Sequence, residues 1–210
     1  MRWDAVLRKV LPLVDFFLPS IEEVLYFLER DRFLQLRRRA SAEGASIIDL
    51  LTTDDYSRLS ERLIGYGAGV VALKSGHRGI YVRTAERARI ESFGRAAAGS
   101  VQNWADRELW EPAYYVERVA SATGSGDCAI AGFLAAFVRG ESVERTLQYA
   151  TAAGAQNVMV HDAISGIKPW EETTASLESM AKAALPISGE GWRYDASGRR
   201  WRGPDGGNAK

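Results

Sequence analysis

The chain has 210 residues, 46% of them hydrophobic, which is enough for one domain with a sizeable core and too little for two full domains. Lys plus Arg and Asp plus Glu stand at 27 each, so no net field favours nucleic acid or an anionic membrane. The single cysteine, Cys128, excludes an internal disulfide framework and suits a reducing compartment.

The first residues, Met1 to Leu18, interleave Arg2, Asp4, Arg8, Lys9 and Asp15 with apolar positions and lack the unbroken apolar centre of a signal peptide. No run approaches the roughly 18 apolar residues of a membrane span, so a cytoplasmic protein is expected. In chain order, Trp3 to Leu11 reads as a short helix and Val14 to Leu18 as a buried strand. Ser20 to Ala40 reads as one helix, with Ser20 as N-cap and Glu23 at the capping-box position. Its apolar stripe at Ile21, Val24, Leu25 and Leu28 has an offset continuation at Phe33, Leu34 and Leu36. The Arg37-Arg38-Arg39 run near its end reads as a solvated helix terminus.

Asp54 to Tyr66 is the next helix. Val70 to Leu73 and Ile80 to Arg83 read as strands around a Ser75 to Gly79 turn. Residues 84 to 112 have no clean period and suggest a surface excursion with one short strand pair. Tyr114 to Val119 leads into a glycine-rich loop, followed by helices at Asp127 to Arg139 and Ser142 to Val160. Strands separated by helices indicate an α/β fold with a parallel or mixed sheet. Residues 188–210 read as an irregular tail, with Trp192 and Trp201 docking on the chain's own domain or on a partner. No internal repeat is visible, and His77 and His161 lack neighbouring acids at zinc-ligand spacing.

The chemistry concentrates in Ala120-Ser-Ala-Thr-Gly-Ser-Gly-Asp-Cys-Ala-Ile-Ala-Gly-Phe-Leu134. Gly124 and Gly126 let successive N–H groups approach an anion, and the helix that follows aims its open N–H groups at the same place. Asp127 stands where it could take a proton from an attacking hydroxyl. Taken alone, the same five residues also fit a turn with an Asp N-cap.

The longer stretch, with Gly140 one helix length on, resembles the second signature of the PfkB, or ribokinase-like, carbohydrate kinases. Val14 to Glu23 is similar to that family's strand and Asn-x-x-Glu segment, with Ser20 in the Asn place and Glu23 keeping the acid. Val70 to Tyr81 resembles its nucleotide-side strand, turn and strand, and Tyr149 to Ala155 its small-residue helix beside the adenine. The resemblance covers about residues 10 to 170. The family's front half, with its first strands, β lid, Gly-Gly signature and sugar-gripping acid, has no counterpart here. The expectation is the back part of such a kinase: a three-layer α/β/α domain over 1–187 with a mainly parallel sheet, incomplete on its N-terminal side and without the lid.

The resemblance implies ATP and Mg²⁺ as cofactors and a sugar or nucleoside as acceptor. It implies Asp127 as base, with the N–H groups of Gly124, Ser125 and Gly126 on the moving phosphoryl group, and Glu23 on Mg²⁺ through water. Lys74, Gly76, Gly79 and Thr123 would lie near phosphate and ribose, and Ala153 and Gly154 near adenine. Glu23 fits its capping-box role equally well, and Lys74 a solvated strand end. The acid that opens the family signature, a ligand of a monovalent cation in many members, is Ser121 here, which puts potassium activation in doubt although Thr123 remains. Three readings stay open: an incomplete sugar or nucleoside kinase, a nucleotide-binding remnant, and an interaction domain that pairs, for example as a homodimer, through an exposed sheet edge.

Overall fold

The computed structural model describes residues 3–94 and 98–204. Helix α1 (Trp3–Val10) buries Leu7 and passes through a 3-10 turn at Leu11–Leu13 into strand β1 (Phe16–Phe17). Helix α2 (Ile21–Leu28) opens on the expected capping box: Ser20 Oγ accepts the Glu23 N–H at 3.2 Å, and Glu23 Oε2 accepts the Ser20 N–H at 2.7 Å.

The single helix expected over 20–40 is two. The backbone leaves the helix at Glu29 (φ −140°, ψ 56°) and α3 (Arg30–Glu43) starts afresh. The offset stripe explains the break, since one straight helix cannot turn both apolar sets to the same core. Glu29 closes the corner by pairing with Arg32 and Arg58. Helix α4 (Thr53–Gly65) then buries Tyr56, Leu59 and Leu63.

Strands β2 (Val70–Lys74) and β3 (Ile80–Thr84) follow, then short helices α5 (Arg87–Glu91) and α6 (Val101–Trp104), and β4 (Glu108–Glu111). Helices α7 (Ser125–Val138), α8 (Val143–Asn157) and α9 (Trp170–Ser176) precede strands β5 (Arg193–Asp195) and β6 (Arg200–Arg202).

One six-stranded sheet runs in the order β1-β2-β3-β4-β6-β5. The β1–β2 pair is parallel and the other pairings are antiparallel, so the sheet is mixed where a mainly parallel one was expected. The five-residue turn between β2 and β3 is the reason, because parallel neighbours need a crossover of a dozen residues or more. Alternation along β2 divides the core. Val71 and Leu73 face α1, α2 and α4 with Tyr56, Tyr81 and Trp110, whereas Val70 and Ala72 face α7 and α8 with Phe133, Phe137 and Leu147. The chain is therefore three-layered α/β/α.

The segment from 84 to 112 is no mere surface excursion: β4 is an interior strand, and Trp104 and Trp110 are fully buried on opposite faces of the sheet. Nor is 188–204 irregular. Its hairpin β5–β6 joins the sheet, Trp201 pairs in register with Trp110, and its indole donates to Leu185 O at 2.9 Å. Arg200, Glu111 and Lys182 meet in a buried charge cluster beneath this joint, with Lys182 Nζ 2.6 Å from Glu111. Beyond 204 the expected tail lies outside the described residues.

Candidate active site

A cleft of about 620 Å³ opens where β1 and β2 end and α7 begins. Such crevices at the carboxyl ends of parallel strands are where open α/β sheets bind ligands. Its floor is set by backbone. Lys74 N–H donates to Pro19 O at 2.9 Å, which ties the end of β2 to the start of α2. Gly79 holds φ 90° and ψ −137° against β4, where a Cβ would fall 2.1 Å from Glu111 O. Behind the floor, buried Ser75 Oγ meets the Tyr56 hydroxyl, whose pKa burial pushes up to about 12.

The glycine loop forms the wall opposite. Gly124 holds φ 77°, and a Cβ there would lie 2.6 Å from Ala163 O, so the loop presses against segment 160–167 with no room for a side chain. Gly126 has neither constraint: its φ is ordinary, and a Cβ would meet only Lys74, with Nζ at 3.5 Å. Glycine at 126 is thus not required by the packing, and a side chain there would intrude between the helix start and the lysine. Among the described residues, the N–H groups of Gly124, Gly126 and Asp127 find no acceptor and the Lys74 ammonium finds no partner. The three N–H groups open around the first turn of α7, at its positive end, and the Lys74 ammonium stands beside Gly126 there. That arrangement suits an anion.

An acidic pair stands on the α2 side. Glu23 uses Oε2 in the capping box, and Glu22 lines the cleft beside it. The Glu22 pKa is raised by burial and then by the charge of Glu23. Among the described residues no three His, Cys, Asp or Glu side chains form a metal cage. Two carboxylates fit an ion that completes its shell with water and substrate phosphate, as Mg²⁺ does.

The expected site residues are thus distributed unevenly. Glu23, Lys74, Gly76, Gly79, Ser125, Gly126 and Gly154 all line the cleft, but the Ser125 N–H, expected on the phosphoryl group, instead donates to Ala122 O at 3.2 Å. Asp127 is exposed at the start of α7, outside the cleft wall, and Thr123 is exposed in the loop before it. Gly124 lies against Ala163. Ala153, expected beside the adenine, instead packs on α7: the Cβ that Gly132 lacks would lie 3.0 Å from the Ala153 Cβ. One helical step of about 100° separates it from Gly154, which does face the cleft.

Three features escaped the sequence reading. Tyr115, Val116, Val119 and Val158 give the cleft an apolar side, with Tyr115 and Val119 well exposed. His77 stands at the rim, its Nε2 2.8 Å from Asp49 Oδ1. Asn157 is buried under the loop, its Nδ2 donating to Thr123 O at 2.8 Å. The position of Tyr115 to Val119 just ahead of the loop was a usable signal for the first; nothing local marked the other two.

Comparison with known proteins agrees with this geometry. The sequence profile of the pfkB family carbohydrate kinases matches residues 2–170. Among solved structures, the chain is similar to ribokinase from Thermotoga maritima, with 20% identity, TM-score 0.55, and 81% of this chain and 44% of that one covered. An E. coli structure solved with ATP and Mg²⁺ is 22% identical, with TM-score 0.57, covering 83% of this chain and 42% of that one. Aminoimidazole riboside kinase from Salmonella enterica, solved with aminoimidazole riboside and an ATP analog, is 17% identical, with TM-score 0.55, covering 83% and 46%. At these identities the likeness is one of fold, and the chain spans less than half the length of these solved relatives. A search of curated protein sequences found no significant match.

Proposed function

The chain belongs to the pfkB family of carbohydrate kinases, and on that premise we propose that its cleft binds ATP with Mg²⁺ for phosphoryl transfer to a sugar or nucleoside hydroxyl. The observation that carries the reading is the Lys74 ammonium, without a partner among the described residues, beside the open N–H groups at the start of α7. The relatives solved with ATP and Mg²⁺, and with a riboside and an ATP analog, support the donor and acceptor classes.

In this reading the nucleobase lies along Tyr115, Val116, Val119 and Val158, and Gly154 leaves room for it on α8. Lys74 and the loop N–H groups hold the terminal phosphates in line and stabilise charge on the transferring group, which is most of what phosphoryl transfer asks of a protein. Glu22 and Glu23 would hold Mg²⁺ through water. When bound, the ion would offset the negative charge of the phosphates. Asp127 accepts the proton of the acceptor hydroxyl as its oxygen bonds to the γ-phosphorus and the bond to the β-phosphate oxygen breaks, leaving ADP. Among the described residues no helix is long and apolar enough to cross a membrane.

Phosphoryl transfer is tested by following ADP release over a panel of sugars and nucleosides. Asp127→Asn should abolish acceptor-dependent turnover while MgATP affinity stays nearly intact. Retained turnover in that variant would remove Asp127 from the role of base.

A further inference from the structure

The peptide between Thr123 and Gly124 is held in an unusual way. Asn157, the last residue of α8, is fully buried, and its Nδ2 donates to Thr123 O at 2.8 Å. Its Oδ1 has no hydrogen-bond partner among the described residues. Leaving half of a buried amide unpaired is unfavourable, so packing alone does not account for an asparagine here. What the side chain does accomplish is to fix one carbonyl of an otherwise exposed loop.

That carbonyl sets the orientation of the peptide that carries the Gly124 N–H. A trans peptide is planar, with its C=O and N–H on opposite sides, and there is no cis peptide among the described residues. Drawing Thr123 O down to Asn157 therefore turns the Gly124 N–H away from the buried side, and it has no acceptor among the described residues. The Asp127 N–H is open for a separate reason: it is the third N–H of α7, and its i−4 carbonyl lies before the helix. The ties around this point are consistent: the Ala120 N–H reaches Val158 O at 2.7 Å, and Cys128 Sγ reaches Ala163 O at 3.3 Å.

We propose that Asn157 is a positioning residue for the anion cradle, setting the 123–124 peptide so that the Gly124 N–H stays open to the terminal phosphates of a nucleotide. It touches no substrate itself, and the proposal rests on the reading of the cleft as a nucleotide site.

The test titrates the 210-residue chain and two variants with MgADP and, separately, with adenosine. Asn157→Leu keeps most of the volume and removes the donor; Asn157→Ser keeps a donor on a shorter arm. The Leu variant should bind MgADP about 10-fold or more weakly with adenosine affinity unchanged, and the Ser variant should recover part of the loss. In the wild type, the ¹⁵N-labelled Gly124 amide should shift on adding MgADP and not on adding adenosine. Wild-type affinity for MgADP in the Leu variant overturns the proposal, as does equal loss of both ligands. If Asn157→Leu fails to fold, the Ser variant decides alone: a loss of about threefold or more confined to MgADP supports the role, and none overturns it. A wild-type chain that binds neither ligand refutes the nucleotide reading itself, a result distinct from failure of the Asn157 role.

Discussion

Gly126→Ala separates a glycine kept for a ligand from one kept for the fold. Gly126 lies in the first turn of α7 with an ordinary φ, and its added Cβ meets nothing closer than Lys74 Nζ at 3.5 Å, an ordinary contact. Replacing glycine by alanine within a helix is worth about 0.5–1 kcal/mol of stability, so Tm should hold or rise by about 1 to 4 °C for a chain of this size. Binding should respond in the opposite direction. A phosphate oxygen accepting the Gly126 N–H would sit about 2.9 Å from the nitrogen, in the space between helix start and ammonium that the methyl enters. Losing one charge-assisted hydrogen bond of about 1.5–3 kcal/mol weakens MgADP by roughly 10- to 100-fold. Scanning fluorimetry and isothermal titration on the same preparations measure both. MgADP affinity within about twofold of wild type refutes the cradle, and a Tm loss of several degrees shows that the glycine serves the fold.

Gly124→Ala should behave in the reverse sense: a Cβ 2.6 Å from Ala163 O at φ 77° predicts a stability loss of about 2–4 kcal/mol, read by urea unfolding. Lys182→Met removes one partner of a buried ion pair, with Lys182 7% and Glu111 0% exposed, and should cost about 3–5 kcal/mol. Burial lowers the Lys182 pKa to about 8 despite the Glu111 charge beside it. Above pH 8 the unfolded chain therefore keeps a proton that the folded chain has released, so this lysine makes stability rise with pH, by at most about 1.4 kcal/mol per unit. Measured between about pH 8 and 9.5, below tyrosine ionisation in the unfolded chain, the stability slope of wild type should exceed that of Lys182→Met; equal slopes contradict the assignment.

Local signals carried through to the structure where they were self-contained. The Ser20 and Glu23 box, the strand, turn and strand at 70–84 and the glycine loop each depend on residues a few positions apart, and each is found as read. Features set by distant partners were not legible. The break at Glu29 is closed by Arg58, and β6 is ordered by register with β4, although Arg200-Trp-Arg202 alone has too few apolar residues to mark a strand. Ala153 and Gly154 are neighbours in a run of small residues, and only the crossing of α7 over α8 decides which faces the cleft. The buried placement of Asn157 depends on the same crossing together with the return of segment 160–167.

The most direct measurement is isothermal titration of the 210-residue chain with MgATP beside Lys74→Ala. The wild type should show saturable one-to-one binding, weakened about 10-fold or more when the Lys74 ammonium is removed. No binding at millimolar MgATP, or identical affinity in the two proteins, would contradict the reading of the cleft as a nucleotide site.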